Sequence, residues 1–182
     1  GLARIRTVRR AYSGAADDVL PPYARRRFLV KVLFVCLGNI CRSPMAEFIM
    51  KDIVRREGYS SRFFIASAGT SAEEEGNPVY PPARAELSKH GISCEGKRAE
   101  QYTAKDYALY DYILAMEDWH VRSILRVSGD PLRKVKRLLD YTEAPADIDD
   151  PWYTRDFARA YREIEKGCSA FLSYLKESGK IS

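Results

Sequence analysis

The feature that most constrains this chain is an eight-residue loop between a strand-like run and the start of a helix. It reads Cys36-Leu37-Gly38-Asn39-Ile40-Cys41-Arg42-Ser43. The short β-branched run Lys31–Val35 before it predicts a buried parallel strand. Pro44 suits a first helical position after a Ser43 able to cap, and apolar spacing predicts a helix from Met45 to Arg56. The loop should therefore lie at the positive end of a helix, where backbone N–H groups bind anions.

Strands and helices alternate along the rest of the chain. Further strands are predicted at Phe63–Ser67, Asp111–Met116 and Val135–Leu139. Further helices are predicted at Pro82–His90, Asp118–Val127 and about Arg155–Lys176. This alternation predicts an α/β fold. We expect a three-layer, doubly wound structure with a four-stranded parallel sheet in the order 2-1-3-4, helices on both faces, and the phosphate loop after strand 1.

Basic charge is concentrated at the beginning of the chain. Residues 1–30 hold seven arginines and two aspartates, whereas the remainder has 23 basic and 23 acidic residues. Because the remainder is balanced, it is not a basic domain built for nucleic acid. We predict a basic N-terminal arm over residues 1–30, disordered or loosely ordered, and one domain over residues 31–182. We favour a solvated leader for the arm over an anchor for acidic lipid or nucleic acid.

The remaining composition excludes several classes of protein. No apolar run approaches the roughly 20 residues of a membrane-spanning helix, and the beginning of the chain lacks the apolar stretch of a secretory signal. We therefore expect a cytoplasmic location and no membrane span. With two histidines and no C-x-x-C pair, no metal site is expected. The cysteines are Cys36, Cys41, Cys94 and Cys168.

The residue types of the loop point to phosphate chemistry. A tight curl needs residues that tolerate positive φ, for which Gly38 and Asn39 are suited. The field that binds an oxyanion also stabilises a thiolate at Cys36, which would face the phosphorus. Arg42 offers a planar fork that grips two phosphate oxygens, and Ser43 can donate a hydrogen bond to the sulfur. C-x5-R-S at the first strand–helix turn is a strong signal for a phosphate-binding nucleophile.

The chain also resembles a known family. C-L-G-N-I-C-R-S-P-M-A-E, residues 36–47, is similar to the signature of low-molecular-weight protein-tyrosine phosphatases. The resemblance covers about residues 31–176. It continues through Ser67–Thr70, Gly76–Pro78, His90–Ile92, the strand that ends at Met116, and Asp150–Tyr153.

That resemblance implies hydrolysis of phosphotyrosine monoesters through a phosphocysteine intermediate. The implied partners are phosphotyrosine proteins or peptides, with inorganic phosphate, sulfate or vanadate able to occupy the loop. No cofactor is implied, because Arg42 and the loop amides stabilise charge where other enzymes use a metal. A monomer that binds no nucleic acid is expected.

Further roles follow from the resemblance alone. The family's general acid and base precedes Pro in a late loop, which here gives Asp150, with Asp149 as the weaker candidate. The second loop cysteine, Cys41, can form a reversible disulfide with Cys36 in the family and protect it from irreversible oxidation.

The resemblance also assigns the walls of the substrate cleft, to Leu37, Glu73, Trp152 and Tyr153. Glu73 is a departure, since an aromatic residue is usual there. Tyr80 and Glu117 each replace a common Asp. The family's His and Arg that brace the loop Asn have no counterpart in residues 96–100, which leaves the bracing of Asn39 open.

Three alternatives stay open. Arginine phosphatases share the fold but resemble C-T-G-N-T-C-R-S, with Thr in place of the bulkier Ile40. Thioredoxin-linked arsenate reductases need two further cysteines close together, and Cys94 and Cys168 lie far apart in sequence and are more typical of core or surface residues. A phosphotyrosine-binding pseudophosphatase is disfavoured by the retention of the three reacting side chains.

Overall fold

The computed structural model describes residues 29–181, and residues 1–28 and 182 are outside the description. Nearly all of the predicted basic arm therefore lies outside the described residues. The strands are β1 (Val30–Cys36), β2 (Phe63–Gly69), β3 (Tyr112–Ala115) and β4 (Val135–Arg137). The helices are α1 (Arg42–Arg56), α2 (Pro81–Lys89), α3 (Ala104–Leu109), α4 (Asp118–Ser128), α5 (Pro151–Thr154) and α6 (Phe157–Glu177).

The four strands form one parallel sheet in the order β2-β1-β3-β4, which confirms the predicted topology. The register pairs Cys36 with Gly69 and Val35 with Ala115. Because all strands run the same way, the loops after β1, β2 and β3 leave from one edge of the sheet. Ligands bind at this edge in open parallel sheets, where the connections diverge.

Alternate residues of β1 enter two separate cores. Phe34 packs with Met45 of α1 and Phe171 of α6, on the face that α2 also covers. Its neighbour Val35 packs on the opposite face with Ile124 of α4, beside α3. The predicted three layers, with helices on both faces, are confirmed.

Local differences from the prediction have identifiable causes. Helix α1 begins at Arg42, so Ser43 lies inside the helix and the prediction that it caps was wrong; Cys41 precedes the helix and makes no side-chain cap. The last strand ends at Arg137 because Leu138–Tyr141 turns into a 3₁₀ helix. Helix α3 was not predicted. It spans six residues and presents one buried side chain, Tyr107, which is too short a pattern for periodicity to detect.

Candidate active site

The loop between β1 and α1 curls as the sequence predicts, but only one of the two residues expected to adopt a positive φ does so. Asn39 adopts the left-handed conformation with φ 57°. Gly38 does not lie in that region, so this part of the prediction was wrong. A Cβ at Gly38 would lie 3.2 Å from Cγ of Glu74, so a larger residue there would require the Glu74 side chain to shift by a few tenths of an ångström.

The loop packs against Gly69, which lies at the end of β2. A Cβ at this position would be 2.7 Å from the Leu37 carbonyl oxygen and 3.1 Å from the Asn39 nitrogen. Two backbone hydrogen bonds continue the contact, from Thr70 N–H to the Cys36 carbonyl and from Ser71 N–H to that of Leu37, both at 2.9 Å. The loop is thus supported by backbone atoms of β2 and the residues after it.

The sulfur of Cys36 faces the loop. The Asn39 N–H donates to Cys36 Sγ at 3.3 Å, and Ser43 Oγ lies 3.0 Å from the same sulfur. Cys36 is only 3% exposed. Donors that converge on a buried sulfur at a helix N-terminus stabilise its anionic form.

A chain of side-chain hydrogen bonds, here named the brace, holds these donors in place. Asn39 Nδ2 donates to Ser43 Oγ at 2.8 Å and to Ser67 Oγ at 2.9 Å. Ser67 Oγ donates to Glu47 Oε1 at 2.7 Å, and the Glu100 N–H donates to Asn39 Oδ1 at 3.0 Å. The Ser43 hydroxyl, which accepts from Asn39, can donate to Cys36 Sγ at 3.0 Å or to the Ala68 carbonyl at 3.3 Å. The bracing of Asn39, open from the sequence, is provided by these residues.

Two lysines neutralise the buried end of the brace. Lys97 Nζ donates to the Ser67 carbonyl at 2.9 Å and lies 3.5 Å from Glu47 Oε1. Lys51 Nζ lies 2.6 Å from Glu47 Oε2. Glu47, Ser67 and Lys97 were not predicted as site residues, because their partners are distant in sequence.

Arg42 lies on the other side of the loop and is 2% exposed. Its Nη1 donates to Glu117 Oε1 at 2.8 Å and to the Ile148 carbonyl at 2.7 Å, and its Nη2 lies 3.3 Å from Asp150 Oδ2. Glu117, a departure from the family pattern, therefore supplies a carboxylate that fixes the guanidinium.

His120 supports this arrangement from behind. Its Nδ1 accepts from the Glu117 N–H at 3.1 Å, and the Trp119 indole N–H donates to the Glu117 carboxylate. His120 is fully buried, and its Nε2 has no hydrogen-bond partner among residues 29–181. Burial, aided by the charge of Arg42, lowers the pKa of His120 to about 3, so the ring is neutral.

Asp150 lies at the start of α5 and accepts from the Trp152 N–H at 3.0 Å through Oδ1. This leaves Oδ2 toward Arg42. Asp149 instead faces Arg159, with its carboxylate 3.5 Å from that guanidinium. The structure thus brings Asp150, rather than Asp149, to the loop.

The predicted cleft walls surround one opening of about 230 Å³ above Cys36. We call Cys36, Asn39, Arg42 and Ser43 the floor. We call Leu37, Glu73, Trp152 and Tyr153 the rim. All four rim residues line the opening, and Ser71 and Glu74 join them without having been predicted. Trp152 is 46% and Tyr153 79% exposed, in contrast to the buried floor.

The other cysteines have separate surroundings. Cys41 also lines the opening, and its pKa is raised by burial and by the proximity of Cys36. Cys168 is fully buried against the Ala46 carbonyl of α1, whereas Cys94 lines a different cavity. Cys94 and Cys168 therefore do not assemble with the loop.

Two features are absent from the described part of the chain. None of its helices is both long and apolar enough to cross a membrane. Within residues 29–181, no three His, Cys, Asp or Glu side chains are grouped to hold a metal ion.

Comparisons with known proteins agree on one family. A family model described as "Low molecular weight phosphotyrosine protein phosphatase" matches residues 31–181. The Bacillus subtilis low molecular weight protein-tyrosine-phosphatase YfkJ is 37% identical over 156 residues, which cover 84% of this chain and 100% of YfkJ. The crystal structure of YfkJ superposes with a TM-score of 0.79 at 38% identity and covers 82% of this chain and 96% of YfkJ.

Two more distant structures share the fold. Vibrio vulnificus Wzb in complex with benzylphosphonate gives a TM-score of 0.72 at 28% identity, covering 81% of this chain and 99% of Wzb. DARP, a Drosophila arginine phosphatase, gives 0.73 at 28% identity, covering 80% and 98%.

Proposed function

The chain belongs to the low-molecular-weight phosphotyrosine protein phosphatase family, and from this membership we propose that it hydrolyses phosphotyrosine with Cys36 as the nucleophile. The observation that carries the proposal is the convergence of Cys36, Arg42 and Asp150 on one opening. The family's activity gives the reaction, and the geometry supports a role for each residue.

In the first step the Cys36 thiolate attacks phosphorus in line with the ester oxygen. An S–P bond forms, the P–O bond to the tyrosine breaks, and protonated Asp150 gives its proton to the leaving phenolate. Asp150 suits this role because its carboxylate is held at the opening by the Trp152 N–H.

In the second step water attacks the phosphocysteine. Asp150, now a carboxylate, takes a proton from the water, and the S–P bond breaks to release phosphate and the thiolate. Ser43 donates to the departing sulfur, which its position 3.0 Å from Sγ supports. In both steps Arg42 and the loop N–H groups stabilise the charge on the equatorial oxygens.

The rim supports an aryl substrate. Leu37 and Trp152 lie on the opening and can enclose a phenyl ring. Phosphotyrosine is long enough to bring its phosphate from the rim to the floor, whereas phosphoserine is shorter. The benzylphosphonate complex of Wzb is consistent with an aromatic phosphonate as a ligand of this fold.

The arginine phosphatase likeness is the alternative with most support, because DARP shares the fold. Ile40, which lines the opening in place of the Thr of that pattern, disfavours it by its bulk and lack of a hydroxyl. The separation of Cys94 and Cys168 from the loop disfavours an arsenate-reductase relay.

The test is p-nitrophenyl phosphate turnover by the wild type and by Cys36→Ser. Replacing a covalent nucleophile costs on the order of 10⁴-fold or more in kcat. Hydrolysis that survives the substitution would refute the mechanism and favour another nucleophile. Phosphotyrosine, phosphoserine and phosphoarginine peptides, assayed side by side, assign the substrate class, and binding of phosphotyrosine without turnover would indicate a pseudophosphatase.

We also infer that Cys41 protects Cys36 during oxidation. Peroxide converts the Cys36 thiolate to a sulfenic acid, and the Cys41 thiol then displaces water to form a disulfide. The presence of both residues on one loop supports this. After peroxide treatment, dithiothreitol should restore activity in the wild type and not in Cys41→Ser. Equal recovery by both would contradict the role.

We propose that the enzyme acts as a cytoplasmic monomer with its domain over residues 31–182 and a basic arm over residues 1–30. A reducing compartment keeps a thiolate nucleophile active, and Cys36, Cys41, Cys94 and Cys168 are all free thiols. The family match over residues 31–181 supports the domain boundary. Sedimentation equilibrium tests the oligomeric state, and a dimer mass would contradict the proposal.

A further inference from the structure

A second cavity, of about 540 Å³, lies outside the catalytic opening. It is enclosed by α2, the turn after it and residues 95–98. Its buried wall is apolar and includes Val79, Ile92 and Cys94. The size is that of a small-molecule site, and the apolar wall suits the organic part of a ligand.

The charged side chains of the lining are mainly cationic. Arg84, Lys97 and Arg98 contribute three positive side chains, against the one carboxylate of Glu95. The guanidinium groups of Arg84 and Arg98 have no ion-pair or hydrogen-bond partner among residues 29–181. Two unpaired guanidiniums on one cavity provide planar donor forks for an oxyanion.

We propose that this cavity, named the second pocket and defined by Arg84, Lys97, Arg98, Val79, Ile92 and Cys94, binds a small organic phosphate ester and thereby regulates the catalytic loop. The phosphate group pairs with the two arginines, and the organic part lies against the apolar wall. A bare inorganic ion would leave most of the volume unfilled.

Lys97 connects the second pocket to the floor. Its side chain is 10% exposed, lines the pocket, and bonds both the Ser67 carbonyl and Glu47 of the brace. An anion in the pocket attracts the Lys97 ammonium away from these partners. The backbone adds a second link, because residues 98–100 follow Lys97 directly and the Glu100 N–H donates to Asn39.

The expected consequence is inhibition. Weaker contacts of Lys97 loosen Asn39 and the Ser43 hydroxyl, which stabilise the sulfur of Cys36. Occupancy should therefore lower kcat, by about fivefold if the transition state loses the net contribution of one hydrogen bond. A ligand that merely competes at the catalytic opening raises KM and leaves kcat unchanged, so the two sites can be distinguished.

Binding is tested by nuclear magnetic resonance on the Cys36→Ser variant, which prevents turnover, with glucose 6-phosphate as the probe. Two groups of backbone amides should shift, residues 36–43 and residues 91–98, with separate dissociation constants. Arg84→Gln and Arg98→Gln should each weaken only the second, by about tenfold. Arg126→Gln, at an exposed arginine of α4, is the matched control, and glucose is the uncharged one. Shifts confined to residues 36–43 would overturn the proposal.

Regulation is tested with the unmodified chain and saturating p-nitrophenyl phosphate. Glucose 6-phosphate should lower kcat in the wild type and in Arg126→Gln. It should not do so in Arg84→Gln, whose rate without the probe matches the wild type. Binding at residues 91–98 with unchanged kcat would refute regulation. The resonance experiment needs no turnover, so failure of the proposed phosphatase activity remains distinguishable from failure of the second pocket.

Discussion

The floor and the rim of the catalytic opening are built in opposite ways. The floor residues are each at most 3% exposed and bonded to one another or to fixed partners, whereas Trp152 and Tyr153 of the rim are 46% and 79% exposed. Buried polar groups must keep their hydrogen bonds, while exposed side chains exchange theirs with water. We therefore expect the chemistry to depend on the bonded network of the floor, and substrate preference to depend on rim side chains that can be changed independently.

The largest effect short of removing the proposed nucleophile, Cys36, is expected at Asp150, the proposed acid. Asp150→Asn removes the transferable proton and should lower kcat for phosphotyrosine by about 10²–10⁴-fold. The loss for p-nitrophenyl phosphate should be smaller, because p-nitrophenolate leaves more readily without a proton. Steady-state kinetics measure both. Asp149→Asn is the matched control, and equal losses in the two variants would contradict the assignment of the acid.

Asn39 tests whether the floor is a single network. Asn39→Ala deletes the donors to Ser43 and Ser67 and places alanine at φ 57°. We expect kcat to fall about 10–100-fold and the free energy of unfolding to fall by about 1–3 kcal/mol. Urea titration and kinetics measure these changes. Asn77→Ala, which loses a bond to Glu74 on an exposed loop, should change neither by much.

The pH dependence of stability tests the burial of His120, which supports Glu117 and Arg42. Its folded-state pKa of about 3 lies below the unfolded value of 6.5. As pH falls below 6.5 the unfolded chain binds a proton that the folded chain does not, so stability decreases. Between pH 6.5 and 5 this costs about 1.6 kcal/mol.

In His120→Gln that component of the decrease should disappear from urea unfolding curves taken at the two pH values. His90→Gln, at the other histidine of the chain, serves as the control. If stability depends on pH equally in His120→Gln and in the wild type, folding does not lower the pKa of His120.

The smallest effect is expected at the rim. Trp152→Ala removes one face of the aryl contact, worth about 0.5–1.5 kcal/mol, and should raise KM for phosphotyrosine by up to about tenfold. We expect kcat to stay within about twofold of the wild type. Tyr174→Ala, at an exposed aromatic of α6, is the control. A collapse of kcat in Trp152→Ala would remove the distinction between floor and rim.

The sequence predicted the parts of this site that are contiguous. Cys36 and Arg42 lie on one loop, and their spacing next to a strand and a helix is itself informative. The parallel sheet and both helical layers were also predicted, because alternation and buried strands are long-range patterns that survive local error, although alternation alone does not determine the order of the strands. Asp150 came from family resemblance, since a bare Asp-Pro is more often a solvated turn.

The brace could not be predicted in the same way. Glu47 reads as an ordinary helical residue, Ser67 as part of a strand, and Lys97 as a loop cation. These residues form the brace only because β2 lies beside β1 and the segment around Glu100 returns to Asn39. Ser43 shows the converse error, because a good capping residue type was instead used inside the helix to bond the sulfur.

Gly69 tolerates substitution far less than the residues of the rim do. The backbone of Leu37 and Asn39 occupies the space that a side chain at position 69 would need, so every other amino acid would displace the loop. Side chains at the exposed rim can therefore change without disturbing the loop, whereas any substitution at Gly69 is expected to displace it, although Gly69 does not line the opening. For anyone building a mutational library, that glycine belongs among the positions to leave alone.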